Sequence, residues 1–297
     1  MTTDFMGRDC FTWFTGVVED RADPLQVGRV RVRCLGYHTE NKEELPTADL
    51  PWASVMHSVT DPSMSGLGHT PSFLVEGSWV VGFFRDTDLQ EPIVMGSLPG
   101  IPSSFANGKQ GFNDPNEVYP KEINQSDVNK LARGTQLHTY TADTEISEPA
   151  DPYNAEYPKN HVYATESGHL KEYDDTVGAE RIRERHKSGT FYEIHPDGKR
   201  VTHIVYNDYK VVAADDYVHV KGNVNLVIDA DCNTTIKGNW DVNVTGDITI
   251  DGNTINLNNG TKGAARIDDT STDNDTELNG PDTGIIKTGS GTVFIGD

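Results

Sequence analysis

His169, His186 and His195 stand among glutamates and aspartates in one short stretch, and these are the residue types that a proton-transfer site uses. Glu117, Glu122 and Asp127 are a second acidic group, and a glycosidase needs two carboxylates held about 5 to 10 Å apart across a cleft. A third set, Asp229, Asp231, Asp241, Asp247 and Asp251, recurs on odd positions, as an exposed sugar-binding groove would require. Cys10, Cys34 and Cys232 complete the reactive inventory. They form no C-x-x-C or Cys/His cluster, so neither a disulfide framework nor a zinc site is expected, and no cofactor is called for.

Chemistry needs elements that converge these groups, and the segments around them do not promise that. The stretch 101–165 is rich in Asn, Pro, Asp and Gly and carries no sustained periodicity, apart from one short helix expected at Ser126–Arg133. It is shorter than the roughly 100 to 150 residues of a typical catalytic domain, so it reads as an extended connector. The histidines of 169–195 are expected to make structural hydrogen bonds. The odd-position aspartates are expected to be solvated.

The first hundred residues carry five short apolar segments separated by turn residues: Phe11 to Glu19, Arg29 to Leu35, Trp52 to His57, Ser78 to Phe84 and Pro92 to Gly96. Five such strands predict a small closed barrel of the OB type. Arg29, Arg31 and Arg33 alternate with Val30 and Val32, so they share one strand face, where they either meet an acidic partner or face solvent. Trp13, Phe14, Phe83 and Phe84 are the aromatics on which an OB-fold would stack bases. The balance of 25 basic against 46 acidic residues, a net charge of −21, opposes a nucleic-acid partner.

Between 218 and 250 a strict period of two appears. Val218, Val220, Val224, Leu226, Ile228, Ile236, Trp240, Val242, Val244, Ile248 and Ile250 all fall on even positions, with mostly Asn, Asp, Lys and Thr between them and Val227 as the apolar exception. That pattern is a strand buried on one side. A second period lies over it: Val220-Lys221-Gly222 returns as Ile236-Lys237-Gly238 and Val244-Thr245-Gly246, with Ala230 at the intervening eight-residue position.

Eight residues make one strand and one turn, too little for a single chain to travel around a β-helix. Three identical chains wound together supply about 24 residues per coil and bury their apolar rows on a common axis. Isolated monomers of this region are not expected to fold. The phase shifts at Ile255 and Leu257, and the chain closes on Val293 and Ile295 in an acidic segment read as the blunt tip.

Three further stretches carry a family resemblance. Trp79-Val80-Val81-Gly82-Phe83-Phe84 with Gln90 to Ser97 and Pro99-Gly100-Ile101-Pro102, the connector Asp127 to Gly134, and the run Ser167 to Gly198 resemble the central spike proteins of contractile-tailed phages and the related valine-glycine repeat proteins of type VI secretion. The resemblance implies an all-β chain: an OB-fold hub-docking domain over 1–100, a connector over 101–165, and an intertwined trimeric triple-stranded β-helix with its tip over 166–297.

It further implies a homotrimer, a tail hub ring protein at the N-terminal domain, a capping protein at the tip, and only transient contact with the bacterial outer membrane, by puncture. Assembly would take place in the host cytoplasm and the final location would be the virion tail baseplate. T-even members carry a lysozyme domain between barrel and β-helix; this sequence departs from them there, and no enzyme activity is expected.

No histidine follows His219, so a histidine-built metal site near the tip is not expected. The N-terminal residues lack the pattern of a secretion signal, and no run approaches the roughly 20 apolar residues of a membrane-spanning helix, so a soluble protein is expected. Two other readings compete: a type VI secretion-like spike, which the start of the sequence near its barrel disfavours, and a β-helix carbohydrate-active enzyme, which would need clustered exposed carboxylates.

Overall fold

The computed structural model describes residues 12–136, 140–253, 270–273 and 282–285, and it divides into two compact units, 1–227 and 228–297. In the first unit, strands β1 (Thr12–Asp20), β2 (Val30–Cys34), β3 (Trp52–Val55), β4 (Trp79–Phe84) and β5 (Pro92–Ser97) close a barrel in the order β1-β2-β3-β5-β4. The β3–β5 pair is parallel and the other pairs are antiparallel, which is the OB topology. Each strand lies within two residues of its predicted bounds.

The barrel closes because alternate residues point inward. Phe14, Val18, Val30, Val32, Cys34, Ala53, Val80, Phe84 and Val94 form the core. Burial there pushes the Cys34 thiol up to about 12, which keeps it protonated. The β4–β5 ladder shifts register at Val81/Gly82, where a Cβ on Gly82 would lie 2.0 Å from the Ile93 carbonyl oxygen, so only glycine lets the two strands approach.

The expected helix at Ser126–Arg133 is a single turn. The Ser126 hydroxyl accepts the Val128 N–H and the Asn129 amide oxygen accepts the Leu131 N–H, two local caps in succession. Gly134, at a φ of 68°, then reverses the chain. Capping chemistry outcompetes propagation over so short a segment.

Beyond the connector, β6 (Asn160–Ala164), β7 (Leu170–Asp174), β8 (Arg181–Arg185), β9 (Phe191–Ile194) and β10 (Arg200–His203) form an antiparallel meander in chain order. It begins at Asn160, ahead of the predicted boundary at 166, and it is a hairpin sheet within one chain. The turns between its strands carry Gly168, Gly178, Gly189 and Gly198, all at positive φ, so their spacing sets hairpins of about ten residues where the later segment repeats every eight. The second unit includes one hairpin, β11 (Thr270–Asp273) with β12 (Asp282–Ile285). Ile255, Leu257, Val293, Ile295 and Cys10 lie outside the described residues.

Candidate assembly surface

After β10 the backbone bends at 205–206, 213–214 and 221–222 in the first unit, and at 229–230, 237–238 and 245–246 in the second. Each bend is eight residues after the last, with six extended residues between. The period visible in the sequence from Val220 onward is thus a property of the backbone, and it reaches two repeats further upstream. In those first repeats the even row is mixed, with Asp208, Lys210 and Asp216 among Tyr206, Val212 and Ala214 and Lys210 paired to Asp216 across the bend, and the unbroken apolar row starts at Val218.

All eleven residues of that row are exposed in the single chain, from 45% for Ile236 to 77% for Val218 and Leu226. Among the described residues 204–253 no strand forms within the chain. A Cβ added to Gly222, Gly238 or Gly246 would meet nothing within 4 Å, and none of the three has a positive φ. Their recurrence therefore has no cause inside one chain.

The three arginines share a face, as predicted, but that face is not free. Arg33 is fully buried: Nε donates to Glu19 Oε1 at 2.7 Å, Nη1 to the Thr39 carbonyl at 2.6 Å and Nη2 to the Leu45 carbonyl at 2.8 Å. Arg31 donates to the carbonyls of Thr47, Ala48 and Leu50 and lies over the Trp52 ring, 4.5 Å from its centroid. Arg29 holds Asp23 at 2.7 Å and keeps that carboxyl well below the usual carboxylate range. The correction concerns Arg33 above all, because the loop 36–50 folds over this face and turns an expected docking residue into an internal anchor.

The acid/base candidates also sit apart. The His169 and His186 rings face each other with centroids 4.5 Å apart at the end of the sheet, and His186 Nδ1 lies 2.8 Å from the Ser188 hydroxyl. His195 belongs to a different cluster. Glu117 accepts the Gly108 N–H at 2.9 Å, Glu122 pairs with Lys130 at 2.6 Å, and Asp127 accepts the Gly100 N–H at 2.8 Å, so each connector carboxylate ties down a loop. Among the described residues no group of three or more His, Cys, Asp or Glu side chains is placed to hold a metal ion.

The cluster that sequence reasoning missed lies under the meander. Glu172, Asp174, Arg181, Arg183 and Glu193 point to one face and are buried beneath the connector. Arg181 Nη2 donates to Glu172 at 2.8 Å, both arginines approach connector Asp151 at 3.4 Å, and Tyr153 stacks on Arg181 at 4.9 Å. Four carboxylates against two guanidiniums leave an excess of negative charge in a dry site. Burial accordingly pushes Glu193 up to about 7, while His195, whose Nε2 is 2.9 Å from Glu193 Oε1, is held below its ordinary value by the same desolvation.

Comparison with known proteins bears on the barrel first. Residues 36–169 match the family described as the Gp5 N-terminal OB domain. From β3 onward the barrel is thus similar to the Gp5 OB domain. The match begins after β2 and runs through the connector and β6 to residue 169. The chain is 42% identical to Protein Gp5 of Vibrio phage KVP40, covering 76% of this chain and 65% of the relative. It is also 42% identical to the pre-baseplate central spike protein Gp5 of Enterobacteria phage T4, covering 42% of this chain and 22% of that protein. The chain thus spans just under two thirds of the first relative and about a fifth of the second.

Proposed function

We propose that this protein is the central spike of a phage tail baseplate, a homotrimer that docks by its barrel on a tail hub ring and is driven through the host outer membrane. The supporting observation is the apolar row of 218–250, exposed in one chain and carried on a backbone that bends every eight residues. Three copies wound about a common axis turn that row inward and bring the bend glycines close to neighbouring chains, which gives them the cause that a single chain lacks. Burying each large side chain is worth roughly 1.5–3 kcal/mol, so eleven of them provide on the order of 20 kcal/mol per chain before ordering costs.

The action is mechanical. A rod whose strand edges are all paired resists bending and fraying, and its outward Asn, Asp, Lys and Thr keep it wet. The acidic excess repels anionic headgroups, so membrane crossing requires the force of sheath contraction. No catalytic step is assigned: the connector carboxylates and the histidines of 169–195 serve hydrogen bonds, and the odd-position aspartates are solvated. A separate protein caps the tip, and assembly occurs in the host cytoplasm before the spike is built into the baseplate. The T4 relative's name, a pre-baseplate central spike protein, favours the phage form over a secretion-system spike.

Light scattering on the purified protein tests the reading. One chain is 32.7 kDa, and the expected species has about three times that mass and survives mild detergent. A stable folded monomer overturns it.

A further inference from the structure

The eight-residue backbone period carries a longer one in charge. Every eighth position from 207 reads Asn207, Asp215, Asn223, Asp231, Asn239 and Asp247, a strict alternation over six repeats. The bend positions Lys221, Asp229 and Lys237 alternate in sign in the same way. Both columns thus repeat every sixteen residues, twice the spacing of the bends. The odd positions from 215 to 251 hold six aspartates, and no two of them are eight residues apart. Solvation alone sets no such spacing. Nor does the single chain: among the described residues 204–253 no strand forms, and the only ion pair is Lys210 with Asp216.

We infer that these columns are side-chain ladders between copies of the chain, on the wet outer face of the rod, and that they fix the register in which the copies wind. The inference rests on the trimer reading given above. A chain that bends every eight residues without a return segment cannot lay its next strand on its last. Each strand therefore passes to the next face of the rod, and its neighbours above and below belong to the other two chains. Stacking the bends at the corners sets residue i of one chain beside i+8 of the second and i−8 of the third, about 4.8 Å away. In that register Asp215 and Asp231 each lie between two Asn amides that can donate to them, and Asp229 lies between Lys221 and Lys237 of its neighbours. Sliding one chain by a single repeat keeps the even row inward, so the apolar row 218–250 does not oppose it. The slide instead sets Asp on Asp, Asn on Asn and Lys on Lys. The charge columns supply the discrimination that the apolar row lacks.

Two substitutions of one kind on the same row test the ladder. Asn239→Asp puts a carboxylate between Asp231 and Asp247 of the neighbouring chains, whereas Asn225→Asp puts one between Tyr217 and Asn233. In trimers confirmed by light scattering, Asn239→Asp is expected to speed dissociation in urea at least about tenfold at low salt, with most of that difference gone at about 1 M salt. Asn225→Asp is expected to stay within about twofold of the wild type. Equal rates for the two variants overturn the ladder and leave the spike reading intact. A monomeric wild type removes the reading and the ladder with it. Asp229→Lys, which lines up three lysines, gives a second arm: it is expected to weaken the trimer, and the reversed set Lys221→Asp, Asp229→Lys and Lys237→Asp is expected to restore it. A reversed set as weak as Asp229→Lys alone counts against the ladder. Should Asn239→Asp not assemble at all, recovery by the reversed set decides.

Discussion

Arg33 and Glu19 face each other across the β1–β2 pair with both side chains fully buried and a two-pronged contact of 2.7 and 3.1 Å. Glu19 also accepts the Thr47 hydroxyl at 2.7 Å and the Phe112 N–H at 2.8 Å, and a Cβ on Gly111 would strike Arg33 Cδ at 2.5 Å. One ion pair thus joins the barrel wall, the loop 36–50 and the connector.

Removing one partner strands a buried charge. Arg33→Met is expected to lower barrel stability by about 3–5 kcal/mol in urea unfolding, because the Glu19 carboxylate keeps only neutral donors and a distant Lys42. Glu19→Leu alone is expected to cost a similar amount. The double variant should cost clearly less than the sum, since neither charge is then left alone. Additive losses would mean that the two residues act independently.

Glu193 and His195 predict opposing pH trends on the acid side of neutrality. Glu193 is raised above its ordinary 4.5 to about 7, so its contribution is fully present below the unfolded value and is lost as pH climbs through about 7. His195 is lowered from 6.5, so its contribution is present above that value and is lost as pH falls through the depressed one. Each proton changes stability by at most about 1.4 kcal/mol per pH unit. The two windows overlap on the acid side of neutrality and oppose each other there, so urea midpoints should change little on account of this pair, whereas Glu193→Gln removes the falling contribution and should leave a rise in stability as pH climbs toward 6.5; neither group adds a slope above about 7. Arg181, Arg183, Asp151 and Glu172 face Glu193 and are present in both proteins compared.

Much of the architecture was legible from period and punctuation. The five barrel strands were found because apolar alternation and turn residues coincide there, as in Trp79–Phe84. The eight-residue row was legible for the same reason. Side-chain partners were not. The alternation of Arg29, Arg31 and Arg33 reads identically whether solvent or a folded loop covers it, and only the long-range contacts to Glu19, Thr39 and Leu45 separate the two cases. The buried charged cluster of the meander was hidden by the same ambiguity, because Glu172-Tyr173-Asp174 and Arg181-Ile182-Arg183 alternate correctly and hydrophobicity alone sends Tyr173 and Ile182, rather than Glu172, Arg181 and Arg183, to the interior.

Cys232 offers the sharpest check on the row itself. It falls on an even position, two residues after the bend at 229–230, in the phase of Leu226 and Ile236, and it is exposed in one chain. A thiol on the axis of three wound chains is shut off from water, whereas a thiol on a single extended chain reacts at once. Cys34 is buried in the barrel core and serves as an internal standard for a protected thiol. In native protein Cys232 should resist a thiol reagent at least about as well as Cys34, and both should react together once the protein is denatured. Leu226→Asp, which buries an uncompensated charge on the same axis, should expose Cys232 while Cys34 stays protected, separating loss of the rod from loss of the barrel. Rapid labelling of Cys232 in the native wild type would put the even row on the outside and remove the basis for a wound needle.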